Sequence, residues 1–379
     1  MVEQRGIESG DDLSPRARKV LFRARNRQND GNYTEARDLL AEWLDDDPNR
    51  DHVLLRFNLA VSYLALDQSA AALEQLRRAV ELEPRYGRAW LRLGEAAYEQ
   101  AHYAEAGEAF ARGHEFTPDA PVEILYYSAV AMVMAEQPAP ALATLEQVLA
   151  TAGAEVPRDW VQALVAAAVA AGQADRARPH IDALLLREPA EPAAWLLAYR
   201  FAAGEQDYKL AAVCLTVAGY LRPAAAEELE QLGDLYAVIG VPVQAATYYA
   251  QALELALTGE GTGNLTAQYE RLAGTWLAAH RHPEARAVLD AALATAATSR
   301  LWSLRGDLDY HAEDFAAALE AFSSSCRLDP EYGRGWLMMG YCALELGRNE
   351  EARRHLQKAA GYPDQAAGAR VLLQRLQDS

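Results

Sequence analysis

From Gly87 to Pro118 the chain reads GRAWLRLGEAAYEQAHYAEAGEAFARGHEFTP, with Trp90, Leu93, Gly94, Tyr98, Ala106, Phe110 and Pro118 at helical spacing around a break at Ala101–His102. Apolar residues recur at i, i+3, i+4 and i+7, the period of a helix with one sticky stripe. The pattern predicts a helix, a tight turn and a second helix. Neither is long enough to be stable alone, so neighbours must cover the stripes.

The rest of the chain reads as copies of this unit. The small residue opening each second helix is Ala36, Ala72, Ala106, Ala141, Ala177, Ala211, Ala245, Ala285, Ala318 or Ala352, at spacings of 33 to 40 residues. Alanine is common here, so the column gains its weight from its companions. Four residues on come Leu40, Leu76, Phe110, Leu145, Ile181, Leu215, Tyr249, Leu289, Phe322 and Leu356, and twelve on, in six copies, Pro48, Pro84, Pro118, Pro189, Pro223 and Pro330. First helices share a tryptophan column (Trp90, Trp195, Trp302, Trp336) and a glycine column (Gly94, Gly233, Gly306, Gly340). Glycine and alanine are what two closely crossing helices require. The triplets Gly31-Asn32-Tyr33, Gly172-Gln173-Ala174, Glu313-Asp314-Phe315 and Gly347-Arg348-Asn349 sit at the helix breaks, as turn chemistry demands.

Tryptophan, leucine and glycine, then alanine and phenylalanine, then proline, over about 34 residues, resemble the tetratricopeptide repeat (TPR). The resemblance covers nearly the whole chain. It implies an all-α, right-handed superhelical solenoid of ten helix-turn-helix repeats over residues 14–364. Residues 365–379 then form a capping helix and tail, and residues 1–13, with no apolar surface to bury, lack structure. Two departures stand out. Repeat four lacks the glycine and proline and puts Pro138 in its turn, and the glycine-rich insertion 258–264 reads either as a surface loop or as a hinge between two stacks.

The same resemblance implies a site. In TPR proteins the first helices line a concave face that holds an extended peptide or a partner helix. The inward columns hold Arg25, Phe57, Asn58, Arg88, Leu91, Arg92, Tyr98, Tyr126 and Tyr127 in the first four copies. In the ninth and tenth they hold Arg300, Tyr310, His311, Arg334, Met338 and Tyr341. Between these, Glu227, Glu230, Asp234 and Glu270 change the sign of the face. Arginine forks beside tyrosine rings are energetic centres of interfaces, and they suit a carboxylate-bearing peptide. Asn58, Arg88 and Arg92 match part of the family's carboxylate clamp, whereas Leu21 and Arg25 replace its first lysine and asparagine. The competing reading pairs these arginines with Glu95 and Glu99 on the same face.

Composition narrows the partner. The formal charge of -18 and pI near 4.9 oppose nucleic acid and anionic lipid, whose capture needs clustered cations. A basic or mixed-charge protein is the better fit. No run approaches the 18 or so apolar residues of a membrane span. Cys214, Cys326 and Cys342 form no CxxC and read as buried thiols, Cys326 and Cys342 on adjacent helices. The residues at His280 and His282, the carboxylates of Asp45-Asp46-Asp47, and the absence of HExxH, GxSxG or a strand-borne GxGxxG give no catalytic constellation, cofactor or metal.

The expected function is therefore a non-enzymatic protein-interaction scaffold. A self-assembling structural module, with homo-oligomers, is the alternative. The stretches RAWLRLGEAAYE and RGWLMMGYCALELG also resemble bacterial TPR proteins that accompany TonB-type energy-transduction systems. That resemblance implies an exported protein. The polar stretch MVEQRGIESGDDLSP has no apolar leader core, which points to the cytoplasm if Met1 is the native start and to the periplasm if a leader was removed.

Overall fold

In the computed structural model, residues 10, 12–153, 156–259 and 264–378 are described, and among them 80% of the chain is helical with 21 α-helices and no strand. The helices alternate as first and second members of a pair. In the amino-terminal half they are α1 (Pro15–Asn29), α2 (Tyr33–Asp45), α3 (Val53–Ala65), α4 (Ser69–Leu82), α5 (Gly87–Glu99), α6 (Tyr103–Phe116), α7 (Glu123–Met134), α8 (Pro138–Ala152), α9 (Arg158–Ala170) and α10 (Arg178–Arg187). In the carboxy-terminal half they are α11 (Pro192–Gly204), α12 (Tyr208–Leu221), α13 (Ala226–Val238), α14 (Pro242–Thr258), α15 (Leu265–Ala278), α16 (His282–Thr295), α17 (Ser299–His311), α18 (Phe315–Leu328), α19 (Gly333–Glu345), α20 (Asn349–Ala359) and α21 (Pro363–Asp378). They form two compact units, residues 1–189 with five pairs and residues 190–379 with five pairs and α21.

The alanine column lies at the centre of the packing. All ten alanines have no solvent exposure, and each bulky residue four positions later is buried. The glycine column has a sharper role than a general close approach. A Cβ added at Gly94, Gly233, Gly306 or Gly340 would lie 2.3 to 2.7 Å from Phe110, Tyr249, Phe322 or Leu356 of the same pair. Glycine on the first helix thus makes the socket for the large side chain of the second. Two indoles of the tryptophan column anchor the entry to their pairs: Trp90 Nε1 donates to the Pro84 carbonyl at 2.7 Å, and Trp336 Nε1 to the Pro330 carbonyl at 3.0 Å.

Every pair turns in the same way. The residue five before each column alanine has positive φ: Gly31, Asp67, Ala101, Glu136, Gly172, Gln206, Gly240, His280, Glu313 and Gly347. The next residue's N–H then reaches back to a carbonyl in the last turn of the first helix. Asn32 donates to Arg27 at 2.7 Å and His102 to Ala97 at 2.8 Å, which is the Schellman closure of a helix end. The turn chemistry expected from four triplets therefore holds, and six of the ten turns accept a residue other than glycine.

The irregular places have local causes. Pro138 sits in the first turn of α8, where a missing N–H costs little. In the fifth pair the second helix opens as a 3₁₀ turn at Ala174–Arg176, and α10 begins at Arg178, because Pro179 cannot donate to the carbonyl of the preceding turn. Residues 260–263 of the glycine-rich insertion lie outside the described residues. On either side of it Tyr249 and Leu253 of α14 share one apolar cluster with Leu272 of α15, inside the second unit. Residues 1–9 and 11 also lie outside. Leu13 is buried against α1 and α3, and His52 Nε2 lies 2.9 Å from an Asp12 carboxylate oxygen. The final helix caps the second unit as expected: Leu372 and Leu376 of α21 cover Ala343 and Leu356.

Candidate partner-binding groove

In the first unit, α5 and α7 are the first helices of adjacent pairs and α6 lies between them in sequence. Leu91, Glu95, Tyr98 and Glu99 of α5, Phe110 of α6, and Ile124, Tyr126, Tyr127 and Val130 of α7 surround an open groove of about 530 Å³. Helical spacing explains the convergence. Residues 91, 95 and 98 lie on one stripe of α5, and 123–130 supply two adjacent stripes of α7. Tyr126 is held by stacking on Trp160 at 5.4 Å between centroids, and Tyr98 by an edge contact with Tyr103 at 5.3 Å. Both rings are thereby fixed before anything binds. Tyr127 is 54% exposed and Tyr98 39%, an aromatic wall open to solvent. Burial, with Asp159 nearby, raises the pKa of the Tyr126 hydroxyl, so it stays a neutral donor.

Four of the sequence-predicted residues, Leu91, Tyr98, Tyr126 and Tyr127, come together in this groove. The arginines expected beside them already have partners. Arg92 Nη1 donates to Glu95 at 2.6 Å, one turn along the same helix, and Arg88 also has an interaction partner. The charged groups in the groove lining are the carboxylates of Glu95 and Glu99. Asn58, read as a clamp residue, is only 5% exposed. Its side-chain amide donates to the Leu54 carbonyl at 2.6 Å, and its amide oxygen lies 3.4 Å from Arg25 Nε. This corrects its assignment, since both ends of the amide are spent on joining α3 internally and to α1. Phe57 packs edge-on against Tyr86, 5.3 Å between centroids.

The carboxy-terminal set also divides. Arg334 is a bidentate partner of Asp307, with contacts of 2.8 and 3.0 Å, and donates to the Tyr332 hydroxyl at 3.3 Å. It joins α19 to α17, and the Asp307 hydrogen bonds raise its pKa beyond the ordinary arginine range. Tyr310 rests edge-on against Phe315 and Met338 packs in the same cluster, while Tyr341 packs with residues of α21. Arg300 and His311 remain exposed, and His311 meets His282 edge to face at 5.8 Å. The acidic stretch between them is internally paired. Glu230 accepts from Gln268 at 2.6 Å, Asp234 from the Tyr249 hydroxyl at 2.6 Å, and Glu270 from Thr298 at 2.6 Å. Among the described residues no group of three or more His, Cys, Asp or Glu is placed to hold a metal ion.

Phe22, 66% exposed on α1, was not among the sequence-predicted residues, although it holds the column position of Arg92, Tyr127 and Met338 in other copies. The signal was present in an apolar residue set among Arg18, Lys19, Arg23 and Arg25.

Serial helix pairs with one turn geometry and one buried alanine per pair define a helical-repeat protein. A family model described as tetratricopeptide repeat matches residues 57–121, 273–332 and 303–369, so these stretches carry TPR repeats. A TPR repeat-containing protein of Pseudomonas aeruginosa is 38% identical over 63 residues, 17% of this chain and 60% of that protein. Among solved structures, a chain of the Naa15/Naa10 complex bound to HypK-THB has a TM-score of 0.48 at 13% identity, covering 96% of this chain and 66% of its own. YrrB, described as a TPR protein with an unusual peptide-binding site, has a TM-score of 0.38 at 18% identity, covering 50% of this chain and 95% of its own. The chain therefore spans less than two thirds of the length of the first two.

Proposed function

We propose that the protein is an interaction scaffold whose groove between α5, α6 and α7 receives an apolar anchor side chain from a peptide segment of a partner. The observation that carries this reading is the pre-fixed tyrosine wall around about 530 Å³ of largely apolar space. Rigid aromatic rings lose little freedom on binding and gain much contact area. With Glu95 already paired to Arg92, Glu99 on the lining favours lysine or arginine beside the anchor, in keeping with the net charge of -18. The test is selection of peptides from a random display library on the full chain, followed by titration of the enriched sequence against wild type, Tyr127→Ala and Tyr98→Ala. An apolar residue flanked by basic ones should emerge, and its affinity should drop at least about tenfold in Tyr127→Ala, the weight of an interface hot spot. Enriched peptides that bind both variants as tightly as wild type would refute the assignment.

A further inference from the structure

Helix α1 is an electrostatic exception within an acidic chain. Its fifteen residues include Arg16, Arg18, Lys19, Arg23, Arg25 and Arg27 and no acid, against a net charge of -18 for the whole protein. The buried stripe of the helix is Ala17, Leu21 and Ala24, which leaves the cations facing solvent. Phe22 stands among them, 66% exposed, with Arg18 and Lys19 one turn before it and Arg25 one turn after.

Some of these cations have structural duties. Arg27 pairs with Glu35 at 3.0 Å, Arg18 donates to the Leu13 carbonyl at 3.0 Å, and Arg25 lies 3.4 Å from the Asn58 amide oxygen. Among the described residues, Arg16, Lys19 and Arg23 have no ion-pair partner. Elsewhere many arginines are matched, as in Arg77 to Glu105, Arg56 and Arg78 to Asp51, Arg222 to Glu228 and Arg334 to Asp307. Among the described residues Arg200, Arg300, Arg354, Arg370 and Arg375 also lack an ion-pair partner, but no other helix carries three such cations. In a chain with acids in excess, unmatched cations around an exposed ring mark a surface that an outside group completes.

We infer that α1 is a second docking surface, separate from the tyrosine groove, and that its occupant is an acidic segment of a partner protein. That segment carries an apolar residue set over Phe22 and carboxylates reaching Arg16, Lys19 and Arg23. The charge of the whole chain repels DNA, RNA and anionic lipid bilayers, which present extended negative surface well beyond one helix. A short acidic segment presents its charge only where α1 lies, so charge complementarity selects it. The ring adds specificity, because an aromatic side chain rewards a partner that brings apolar surface along with its charge.

The test uses the full chain and a labelled synthetic peptide of about fifteen residues, Asp/Glu-rich with one central leucine, followed by fluorescence anisotropy. The wild type should bind it, and affinity should fall at least about tenfold in Lys19→Glu/Arg23→Glu and again when NaCl rises from about 50 to about 300 mM. Phe22→Ala, or replacing the central leucine by serine, should weaken binding at least about threefold. Tyr127→Ala should leave it unchanged, which keeps this result distinct from that for the groove. Circular dichroism checks that each variant is folded, and Arg16→Gln/Lys19→Gln repeats the test without charge reversal. Equal binding by all variants, no binding to the wild type, or Phe22-dependent binding only to phosphatidylglycerol vesicles or a DNA duplex would each overturn the inference.

Discussion

A single methyl group distinguishes two neighbouring columns of this repeat. In α17 an added Cβ at Gly306 would fall 2.7 to 2.8 Å from three ring atoms of Phe322, whose side chain is wholly buried and has no room to withdraw. In α15 an added Cβ at Gly274 has its nearest neighbour, a Leu304 methyl, at 3.8 Å, an ordinary contact. Helix propensity favours alanine over glycine by up to about 1 kcal/mol at both sites. Overpacking at Gly306 costs about 1 to 3 kcal/mol, so Gly306→Ala should destabilise the protein by about 1 to 2 kcal/mol net. Gly274→Ala should stabilise it by up to about 1 kcal/mol. Urea denaturation followed by far-UV circular dichroism measures both, with midpoints compared because repeat arrays need not unfold in one step. Trimming the obstructing ring supplies the check on cause: Gly306→Ala/Phe322→Leu should be less destabilised than the two single changes summed. If the two glycine substitutions shift the midpoint in the same direction, or the double variant is additive, the socket assignment is wrong.

Three further outcomes follow from local geometry. Ala101 holds φ of +59°, so Ala101→Gly should raise the denaturation midpoint by the equivalent of up to about 1 kcal/mol, whereas Gly31→Ala, at φ of +79°, should lower it by about as much. Burial pushes the Cys326 thiol to about 11 and the Cys342 thiol to about 12, so neither is a thiolate at neutral pH. Both should resist a thiol reagent in the native protein and react once it is unfolded, and rapid native labelling of either would contradict their placement. Hydrogen bonding from Arg77 lowers the pKa of Glu105. A depressed carboxylate pKa contributes stability above the unfolded value near 4.3 that is lost as pH falls through the folded one. Arg77→Gln should therefore be less stable than wild type at neutral pH and converge with it in acid, and a difference that persists in acid would rule out the ion pair as its source.

The fold was legible because its constraint is periodic. One alanine, one bulky residue four later and a turn five earlier recur in all ten copies, and each has a single packing consequence. The tyrosines of the groove were legible for the same reason, since column position on a helix sets direction. The arginines were not. A column number places Arg92 and Arg334 on a face, but whether a long side chain reaches solvent or folds onto Glu95 or Asp307 depends on distances that no one-dimensional pattern contains. Asn58 shows the same limit from the other side, a polar residue on an inward column that the pairing of α1 with α3 draws into the core. Phe22 shares the inward column of Asn58, Arg92, Tyr127 and Met338, so its direction was legible, but the column does not contain the fact that it stays exposed where Asn58 is buried.

The most direct test of the account is amide hydrogen exchange on the full chain with and without the peptide selected on it. Added protection concentrated in α5 and α7, over residues 91–99 and 123–130, is the predicted result. Protection confined to the second unit, or none at saturating peptide, would contradict a binding groove walled by Tyr98, Tyr126 and Tyr127.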